Sequence, residues 1–289
     1  MVIQAKGLRK TFGATEAVRG LDFSVPQGSI CAFLGRNGAG KTTTLKMLQG
    51  MVHPTGGEAT VLGLRIDDRD ESVAIRRRVA FVCEEKGTVA YMKLRKIIDL
   101  TKSFYPSWND GTERILLDRF ELNPQQHAGT LSKGMQTKFS LLLAMCRDAE
   151  LLILDEPSEG LDPASSEDLL QMLVSLAADG KTTIFFSTHH LGDVEQIADR
   201  VVIIDHGRTV VEDSLDDLKN NYRRVSMVFD ANVPVIAGAQ VQGRVASVLL
   251  RGGAQDAVER LRKFNPSAID VHQVALKDIF LDCVKGDRV

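Results

Sequence analysis

The sequence predicts an α/β fold in which helices cover both faces of a parallel β-sheet. Short apolar runs alternate along the chain with longer stretches of helical periodicity, beginning with a run at 29–34 and a helix at 42–48. The apolar runs are continuous, whereas a strand with one solvated face alternates apolar and polar residues. Repeated strand–helix–strand order of this kind predicts crossover helices between parallel strands.

The other elements of this core follow from the same two patterns. The predicted strands are 78–83, 151–154, 182–187 and 201–204, and the predicted helices are about 164–178 and 192–198. The first segment differs, because residues 5–12 and 21–25, followed by the turn Pro26-Gln27-Gly28, predict an antiparallel, hairpin-like β subdomain.

A stretch from about residue 86 to residue 150 has no strand pattern. Its periodic segments predict helices at 94–104, 113–120 and 138–146. A break at 105–108 includes Pro106, and proline does not continue a helix. We therefore expect a helical subdomain inserted into the α/β core.

A composition change after about Asp217 marks a second region. Runs at 225–229, 244–250 and 269–274 predict strands, and stretches at 255–264 and 276–284 predict helices. We therefore expect a first domain over 1–219, which includes the helical subdomain, and a small α+β accessory domain over 220–289. The sequence of the accessory domain offers no candidate ligand site.

The bulk composition argues against several classes of protein. The 289 residues have a formal net charge of -2, which gives no support for a nucleic-acid partner. No apolar stretch approaches the roughly 18–20 residues of a membrane-spanning helix, and the first residues lack a signal peptide's apolar core. We therefore expect a cytoplasmic protein. Its cysteines, expected as reduced thiols without metal-binding spacing, are Cys31, Cys83, Cys146 and Cys283.

A glycine-rich loop between the first buried strand and its helix matches the pattern G-x-x-x-x-G-K-[ST]. Glycines let such a loop wrap so that backbone N–H groups face a phosphate, and the helix presents its positive end to the same anion. Lys41 can reach the β- and γ-phosphates, and Thr42 offers a hydroxyl to Mg²⁺. The pattern predicts a nucleoside triphosphate site and a P-loop NTPase core; a glycine-rich turn that binds nothing is the alternative. The expected nucleotide-binding residues here are Gly35, Arg36, Asn37, Gly38, Ala39, Gly40, Lys41, Thr42 and Thr43.

A pair of acids follows the predicted strand at 151–154. Asp155 and Glu156 come at the carboxyl end of that strand, the edge at which α/β sheets bind ligands. Asp155 is the expected ligand of Mg²⁺, directly or through water, and Glu156 is expected to polarise an attacking water. The alternative is an acidic turn without a catalytic role.

Further segments occur in the order typical of one family. The stretch Leu131-Ser132-Lys133-Gly134-Met135-Gln136 is similar to the LSGGQ signature sequence of ABC ATPases. Residues 158–162 resemble the D-loop of that family, and Ser187-Thr188-His189 resembles its switch-histidine segment. Phe12 falls where the family places an adenine-stacking aromatic residue. The chain thus resembles ABC ATPases from residue 1 to about residue 215.

The resemblance implies a protein that binds and hydrolyses ATP with Mg²⁺. Two such domains, in a homodimer or a heterodimer, would close head to tail with ATP between them. Ser132 and Gly134 would then contact the γ-phosphate held by the opposite subunit. His189 would contact the γ-phosphate of its own subunit, and Asp162 would help to couple the two sites. The candidate catalytic residues are Lys41, Glu156 and His189.

Three of these assignments have structural alternatives. Phe12 could be a core aromatic, and Ser132 could be a helix cap without a ligand. The neighbour His190 cannot be distinguished from His189 by spacing alone, although the family pattern favours His189.

The chain also departs from the family pattern. Lys133 stands for a glycine and Met135 for a glutamine in the signature sequence, and Phe12 stands where tyrosine is commoner. The family's Q-loop glutamine is replaced by Glu84, which could still ligate Mg²⁺ or a water. Glu85 follows directly, so the alignment of this position is open by one residue.

The resemblance favours a transporter subunit that works with a separate integral-membrane permease, peripherally on the inner face of the cell membrane. A soluble ABC ATPase of the DNA-repair or translation type is the alternative, as is a relative without turnover. No long coiled coil and no second ATP cassette occurs in the sequence, and Glu156 and Lys41 are both present. The segments 131–135, 104–106 and 275–280 are similar to those of ABC-2 type exporters. The transported substrate stays open, as does the choice between homodimer and heterodimer.

Overall fold

A computed structural model describes residues 1–83, 89–105, 107–252 and 254–284 of the chain. The chain divides into two compact units, Met1–Glu212 and Asp213–Val289. This division falls a few residues before the boundary predicted at residue 219. All the residues predicted to form the site belong to the first unit.

The strands up to the boundary form two sheets. In chain order they are β1 (Ile3–Phe12), β2 (Thr15–Val25), β3 (Ile30–Gly35), β4 (Gly56–Val61), β5 (Leu64–Arg65), β6 (Val79–Val82), β7 (Leu151–Asp155), β8 (Thr183–Thr188), β9 (Arg200–Asp205) and β10 (Arg208–Ser214). One sheet has the order β2-β1-β4-β5 and the other the order β10-β9-β3-β8-β7-β6. In the second sheet β3 is parallel to β8 and β9, and β7 is parallel to β6 and β8.

Helices connect these strands. They are α1 (Lys41–Leu48), α2 (Arg69–Arg78), α3 (Leu94–Phe104), α4 (Asp110–Arg119), α5 (Lys133–Met145), α6 (Pro163–Ala177) and α7 (Leu191–Ile197). Helices α3 to α5 lie between β6 and β7. The structure thus confirms the predicted α/β fold, with its parallel sheet, its antiparallel β subdomain and its inserted helices.

The parallel strands are buried on both faces. Every residue of β3, β7 and β8 is buried, which is why their sequences are continuous apolar runs. Leu34 on β3 pairs with Thr188 on β8, and Ser187 on β8 pairs with Asp155 on β7. The carboxyl ends of the three strands therefore meet at one edge of the sheet, and the site lies at this edge.

Three phenylalanines join the two sheets. Phe23 on β2 lies 5.4 Å from Phe33 on β3 and 5.7 Å from Phe185 on β8, measured between ring centroids. Phe33 and Phe185 lie 5.2 Å apart. Aromatic pairs at these separations contribute roughly 0.5–1.5 kcal/mol each beyond the area they bury. The cluster thus fixes the β1–β2 hairpin against the sheet that carries the site.

Some elements are absent from the sequence prediction or begin earlier than it placed them. Helix α2 has the sequence RDESVAIRRR, whose charges leave no apolar stripe, and only its N-cap residue Asp68 marks its start. Helix α4 begins at Asp110, earlier than predicted, because the Asn109 side chain caps it by accepting from the Thr112 N–H. Strands β4, β5 and β10 are short or largely exposed and lack a buried apolar run.

The second unit has its own antiparallel sheet and core. Its elements are α8 (Leu215–Asn220), β11 (Tyr222–Val228), β12 (Gln240–Gln242), β13 (Val245–Arg251), α9 (Ala254–Arg262), β14 (Ala268–Gln273) and α10 (Leu276–Cys283). The strand order is β12-β13-β11-β14. Its buried core comprises Val225, Met227, Phe229, Ala246, Val248 and Leu261. This is the small α+β extension expected from the sequence. In the parts of both units that the structure describes, no helix is long and apolar enough to cross a membrane.

Candidate functional site

The loop from β3 to α1 has the backbone conformation that its glycines permit. Gly38 and Gly40 have φ values of 83° and 103°, in the left-handed region that favours glycine. A Cβ atom on Gly40 would lie 2.7 Å from the carbonyl oxygen of Ala17, so a side chain there would clash. Gly40 is also the N-cap of α1, and no side chain caps that end of the helix. The first N–H groups of α1 are therefore available to an anion.

Lys41 is buried at the start of α1. Its Nζ donates to the carbonyl oxygen of Gly35 at 2.8 Å and lies 3.2 Å from Glu156 Oε1. Only 7% of either the Lys41 or the Glu156 side chain is exposed. The phosphate-loop cation and the acid after β7, which are far apart in the sequence, thus form a buried ion pair.

Asp155 ends β7 and is fully buried. Its Oδ1 accepts a hydrogen bond of 2.5 Å from the Ser187 hydroxyl on β8. Among the described residues its Oδ2 has no hydrogen-bond partner. An unpaired buried carboxylate oxygen is costly unless a cation or a polar group meets it. The arrangement therefore fits a divalent cation at this oxygen.

Glu156 follows Asp155 in a strained conformation. Its φ is 50°, which is uncommon outside glycine, and its N–H donates to the Ser187 hydroxyl at 3.1 Å. Its Oε2 lies 3.0 Å from His189 Nδ1 and accepts at 3.3 Å from the His189 N–H. The carboxylate is thus held between Lys41 on one side and the end of β8 on the other, as in functional sites that retain backbone strain.

A cavity of about 690 Å³ opens at this edge of the sheet. Among its lining residues are nine that the sequence predicted. They are Arg36, Asn37, Gly38, Gly40, Lys41, Thr42, Thr43, Glu156 and His189. The remaining lining residues are Thr15, Glu16, Ala17, Arg19, His206 and Glu159, the last within the segment 158–162 that resembles the D-loop. Thr15 to Ala17 lie three to five residues after Phe12 in the β1–β2 hairpin, and this proximity was the one signal that could have found them.

Other predicted residues are near the cavity without lining it. Gly35 is buried at the end of β3, where a Cβ atom would lie 2.8 Å from the Ile204 carbonyl oxygen. Ala39 is buried within the loop. Phe12 is 51% exposed at the tip of the hairpin, with Lys10 Nζ 4.9 Å from its ring centroid. Phe12 is therefore not a core aromatic, and its assignment to adenine stacking stays a prediction.

The signature segment lies on a different surface. Ser132 caps α5 by accepting from the Met135 N–H at 3.2 Å, and Gly134 follows in the first turn. Asp162 caps α6 by accepting from the Ser165 N–H at 3.0 Å. The residues that line this second concavity, of about 500 Å³, are Ser132, Lys133, Gly134, Met135, Lys138, Gly160, Leu161 and Asp162. One chain therefore presents the phosphate loop and the signature segment in separate cavities.

One predicted metal ligand cannot be placed. Glu84 lies outside the described residues, as does its neighbour Glu85. The prediction that Glu84 acts as the Q-loop residue therefore stays a prediction.

A groove lies between β6 and the inserted helices. The Arg147 guanidinium carbon lies 3.5 Å from the Tyr105 ring centroid, and its Nη2 donates to the carbonyl oxygens of Arg76 and Val79. Burial lowers the pKa of Arg147. The groove has a volume of about 280 Å³ and is lined by Phe81, Val82, Cys83, Val89, Ile97, Thr101, Tyr105, Phe139, Ser140, Leu143, Ala144 and Arg147.

Known proteins share this sequence and this fold. A family model described as ABC transporter matches residues 18–159. The bacitracin transport ATP-binding protein BcrA of Bacillus licheniformis is 31% identical, over 100% of this chain and 99% of that protein. The daunorubicin/doxorubicin resistance ATP-binding protein DrrA of Streptomyces peucetius is 34% identical, over 76% of this chain and 67% of that protein.

Solved structures are similar over about three quarters of the chain. The ATP-binding subunit of an ABC transporter superposes with a TM-score of 0.69 at 29% identity, over 76% of this chain and 92% of that one. A dimeric ATP-binding cassette, MJ0796, bound to ADP and phosphate, superposes with a TM-score of 0.66 at 22% identity, over 74% and 98%. At that identity the second likeness concerns the fold alone. With a phosphate loop, an acidic strand end and a signature segment in family order, the chain belongs to the ABC transporter family, as an ATP-binding subunit that hydrolyses ATP.

Proposed function

We propose that this chain drives an ABC-2 type exporter from the inner face of the cell membrane, by closing on ATP against a second ATPase subunit and moving a separate integral-membrane permease. By their names, the two relatives above serve bacitracin transport and daunorubicin/doxorubicin resistance. The segments 131–135, 104–106 and 275–280 are similar to those of ABC-2 type exporters and support the same subgroup.

One observation carries the chemical part of the proposal. The Glu156 carboxylate contacts both Lys41 and His189, so the acid lies between the phosphate-loop cation and the switch histidine. With ATP bound, Lys41 moves to the β- and γ-phosphates and releases one carboxylate oxygen. Glu156 then orients and polarises a water, which attacks the γ-phosphorus as the bond to the bridging oxygen breaks, so that ADP and phosphate form. His189 holds the γ-phosphate in line.

The same edge of the sheet suits Mg²⁺. We assign Thr42, Asp155 and Glu84 as the residues that hold it. The Oδ2 of Asp155, which has no hydrogen-bond partner in the described part of the chain, supports that assignment. Mg²⁺ supplies charge neutralisation for the phosphate oxygens. The Ser187 hydroxyl donates to Oδ1 and so fixes the orientation of the Asp155 carboxylate, including that of Oδ2.

The separation of the two cavities supports a composite site. Ser132 and Gly134 open α5 away from the cavity that Lys41 and Glu156 line. A second subunit turned head to tail brings its own signature segment over the γ-phosphate. The serine hydroxyl accepts one hydrogen bond as helix cap and retains its own proton to donate to the phosphate.

The groove between β6 and α5 supports a permease contact on the inserted helices. Its walls are mostly apolar, and Arg147 contributes a guanidinium to the lining. Such a groove suits a short amphipathic helix that carries a carboxylate. Binding of that helix couples closure of the ATPase subunits to movement of the permease.

The proposal is tested by Mg²⁺-dependent ATP hydrolysis over a series of protein concentrations. An active homodimer gives a rate that rises faster than linearly with concentration, because the site is complete only in the dimer. ATP binding without hydrolysis at every concentration would refute the homodimer. Hydrolysis that rises strictly in proportion to concentration, while the protein stays monomeric by light scattering, would refute the composite site.

A further inference from the structure

Three side chains with metal-ligating atoms meet next to Glu156, and one of them is the proposed catalytic residue His189. Glu159, His189 and His190 each offer one such atom, and these atoms all lie within 4.8 Å of one another. The two imidazole rings lie 4.0 Å apart between centroids. Among the described residues, no other group of three or more His, Cys, Asp or Glu side chains brings its ligand atoms this close together.

The backbone holds the three residues in place. Glu159 belongs to the turn after β7, where its N–H donates to the Glu156 carbonyl oxygen at 3.1 Å. The histidines connect β8 to α7, and the His190 N–H donates to the Thr188 hydroxyl at 2.9 Å. The site is therefore mounted on two adjacent buried strands, and only the side chains need to adjust.

The donor set matches transition metals better than Mg²⁺. Two imidazoles and one carboxylate are a ligand set that zinc uses with water in a fourth position, whereas Mg²⁺ prefers oxygen ligands. Ligands around a tetrahedral zinc ion lie about 3.3 Å apart, given metal–ligand distances near 2.0–2.1 Å. His190 Nε2 already lies 3.5 Å from Glu159 Oε2. The three side chains are 35%, 39% and 47% exposed for Glu159, His189 and His190, so rotation can close the remaining gap.

Neighbouring groups prepare these ligands. His189 Nδ1 faces the Glu156 carboxylate at 3.0 Å, which orients the ring and leaves Nε2 for a metal. A carboxylate behind a ligating histidine is the usual outer partner in metal sites. Lys133 Nζ lies 3.7 Å from Glu159 Oε1, so this cation competes with a metal ion for the carboxylate.

We propose that Glu159, His189 and His190 form a site for a first-row transition metal of the Zn²⁺ class, separate from the Mg²⁺ of ATP, and that its occupation stops turnover. A metal on His189 withdraws that imidazole from the γ-phosphate and ties it to the turn that carries Glu159. The binding half of the proposal, that a metal binds here, is inferred from the cluster alone. The inhibitory half, that the bound metal stops turnover, also rests on the proposed role of His189.

Binding is measured first, on the full chain without nucleotide. Co²⁺ is titrated as a spectroscopic substitute for Zn²⁺, and Zn²⁺ is then used to displace it. We expect one ion per chain in this site, with the visible absorption of nitrogen and oxygen ligation. His190→Asn and Glu159→Gln should each weaken binding by at least about tenfold, because each removes a ligand. His272→Asn, which removes a histidine of similar exposure from the second unit, is the matched control and should leave Co²⁺ binding unchanged.

Lys133→Ala is the opposite perturbation. Removing the cation next to Glu159 should tighten metal binding a few-fold, whereas a purely structural ion pair gives no such gain. Unchanged Co²⁺ binding in His190→Asn, or an absorption spectrum of thiolate ligation, would overturn the site. Circular dichroism confirms that each variant is folded.

Inhibition is measured second, with each variant normalised to its own rate before metal is added. Zn²⁺ added to a large excess of Mg²⁺-ATP should inhibit the wild-type chain, and a stoichiometric chelator should restore the rate. His190→Asn should need at least about tenfold more Zn²⁺ for the same inhibition, in parallel with its loss of affinity. Equal sensitivity in both proteins would overturn the inhibitory half, while the binding result and the ATPase proposal would stand on their own measurements.

Discussion

Replacing Glu156 by glutamine removes one negative charge from the centre of the nucleotide site and changes its shape little. The carboxylate Oε1 lies 3.2 Å from Lys41 Nζ, and both side chains are 7% exposed. The substitution therefore acts on two properties. The group that polarises water is lost, and Lys41 no longer has a carboxylate competing with the phosphates of ATP. We expect hydrolysis to fall and ATP binding to tighten.

The structure sets the scale of both effects. Coulomb's law at an effective dielectric constant of about 20 gives about 5 kcal/mol for two unit charges 3.2 Å apart. Most of this attraction is offset by the cost of removing both charges from water. A remaining competition of about 1–2 kcal/mol corresponds to ATP binding about 5- to 30-fold tighter in Glu156→Gln. Loss of a general base should lower the turnover rate by roughly 10²–10⁴.

Equilibrium binding of labelled ATP and phosphate release at saturating Mg²⁺-ATP measure the two effects separately. Glu150→Gln is the matched control, since it removes the same charge just before the other end of β7, where Glu150 pairs with Arg78 at the surface. It should change neither quantity by more than about twofold. Wild-type turnover in Glu156→Gln would refute its role as base. ATP binding that weakens would refute competition between Glu156 and ATP for Lys41.

Three further outcomes are expected from single positions. Ser132→Ala removes the cap of α5, which contributes about 1 kcal/mol to the free energy of unfolding. The thermal midpoint of unfolding should therefore fall by about 2–4 °C, and an unchanged midpoint would contradict the capping contact. Asp155→Asn alters the carboxylate whose Oδ2 has no hydrogen-bond partner among the described residues, so a Mg²⁺ titration of hydrolysis should shift to higher concentration. An unshifted curve would remove Asp155 from the metal site. Burial raises the pKa of the Cys31 and Cys146 thiols to about 12. A thiol reagent at mildly alkaline pH should therefore modify neither before unfolding, and modification of the native chain would contradict their burial.

Local pattern accounts for most of the predicted fold. Strands β3, β7 and β8 are continuous apolar runs because both of their faces are buried, so their type is visible in the sequence. Helix α2 was missed because its charged sequence has no apolar stripe. It is stabilised locally by the Asp68 cap and by acidic residues in its first turn and arginines in its last, which complement the helix dipole.

The sequence by itself determined the chemistry of the phosphate loop and of the acids that follow β7. The loop needs glycines, a lysine and a threonine at fixed spacing, and each of these requirements is met within one short segment. The end of a buried strand likewise marks the sheet edge at which Asp155 and Glu156 must lie. Such local requirements can be recognised without knowing the neighbours of the strand.

Only the tertiary structure decided which of these residues touch. Glu156 contacts Lys41 and His189 because strand order sets β8 between β3 and β7 and so brings three loops to one edge. The same order brings Glu159 to His190. The β1–β2 hairpin, which lines the cavity, is placed by the packing of Phe23 against Phe33 and Phe185. Strand order arises from hydrogen bonds between segments distant in the chain, and spacing along one segment carries no record of it.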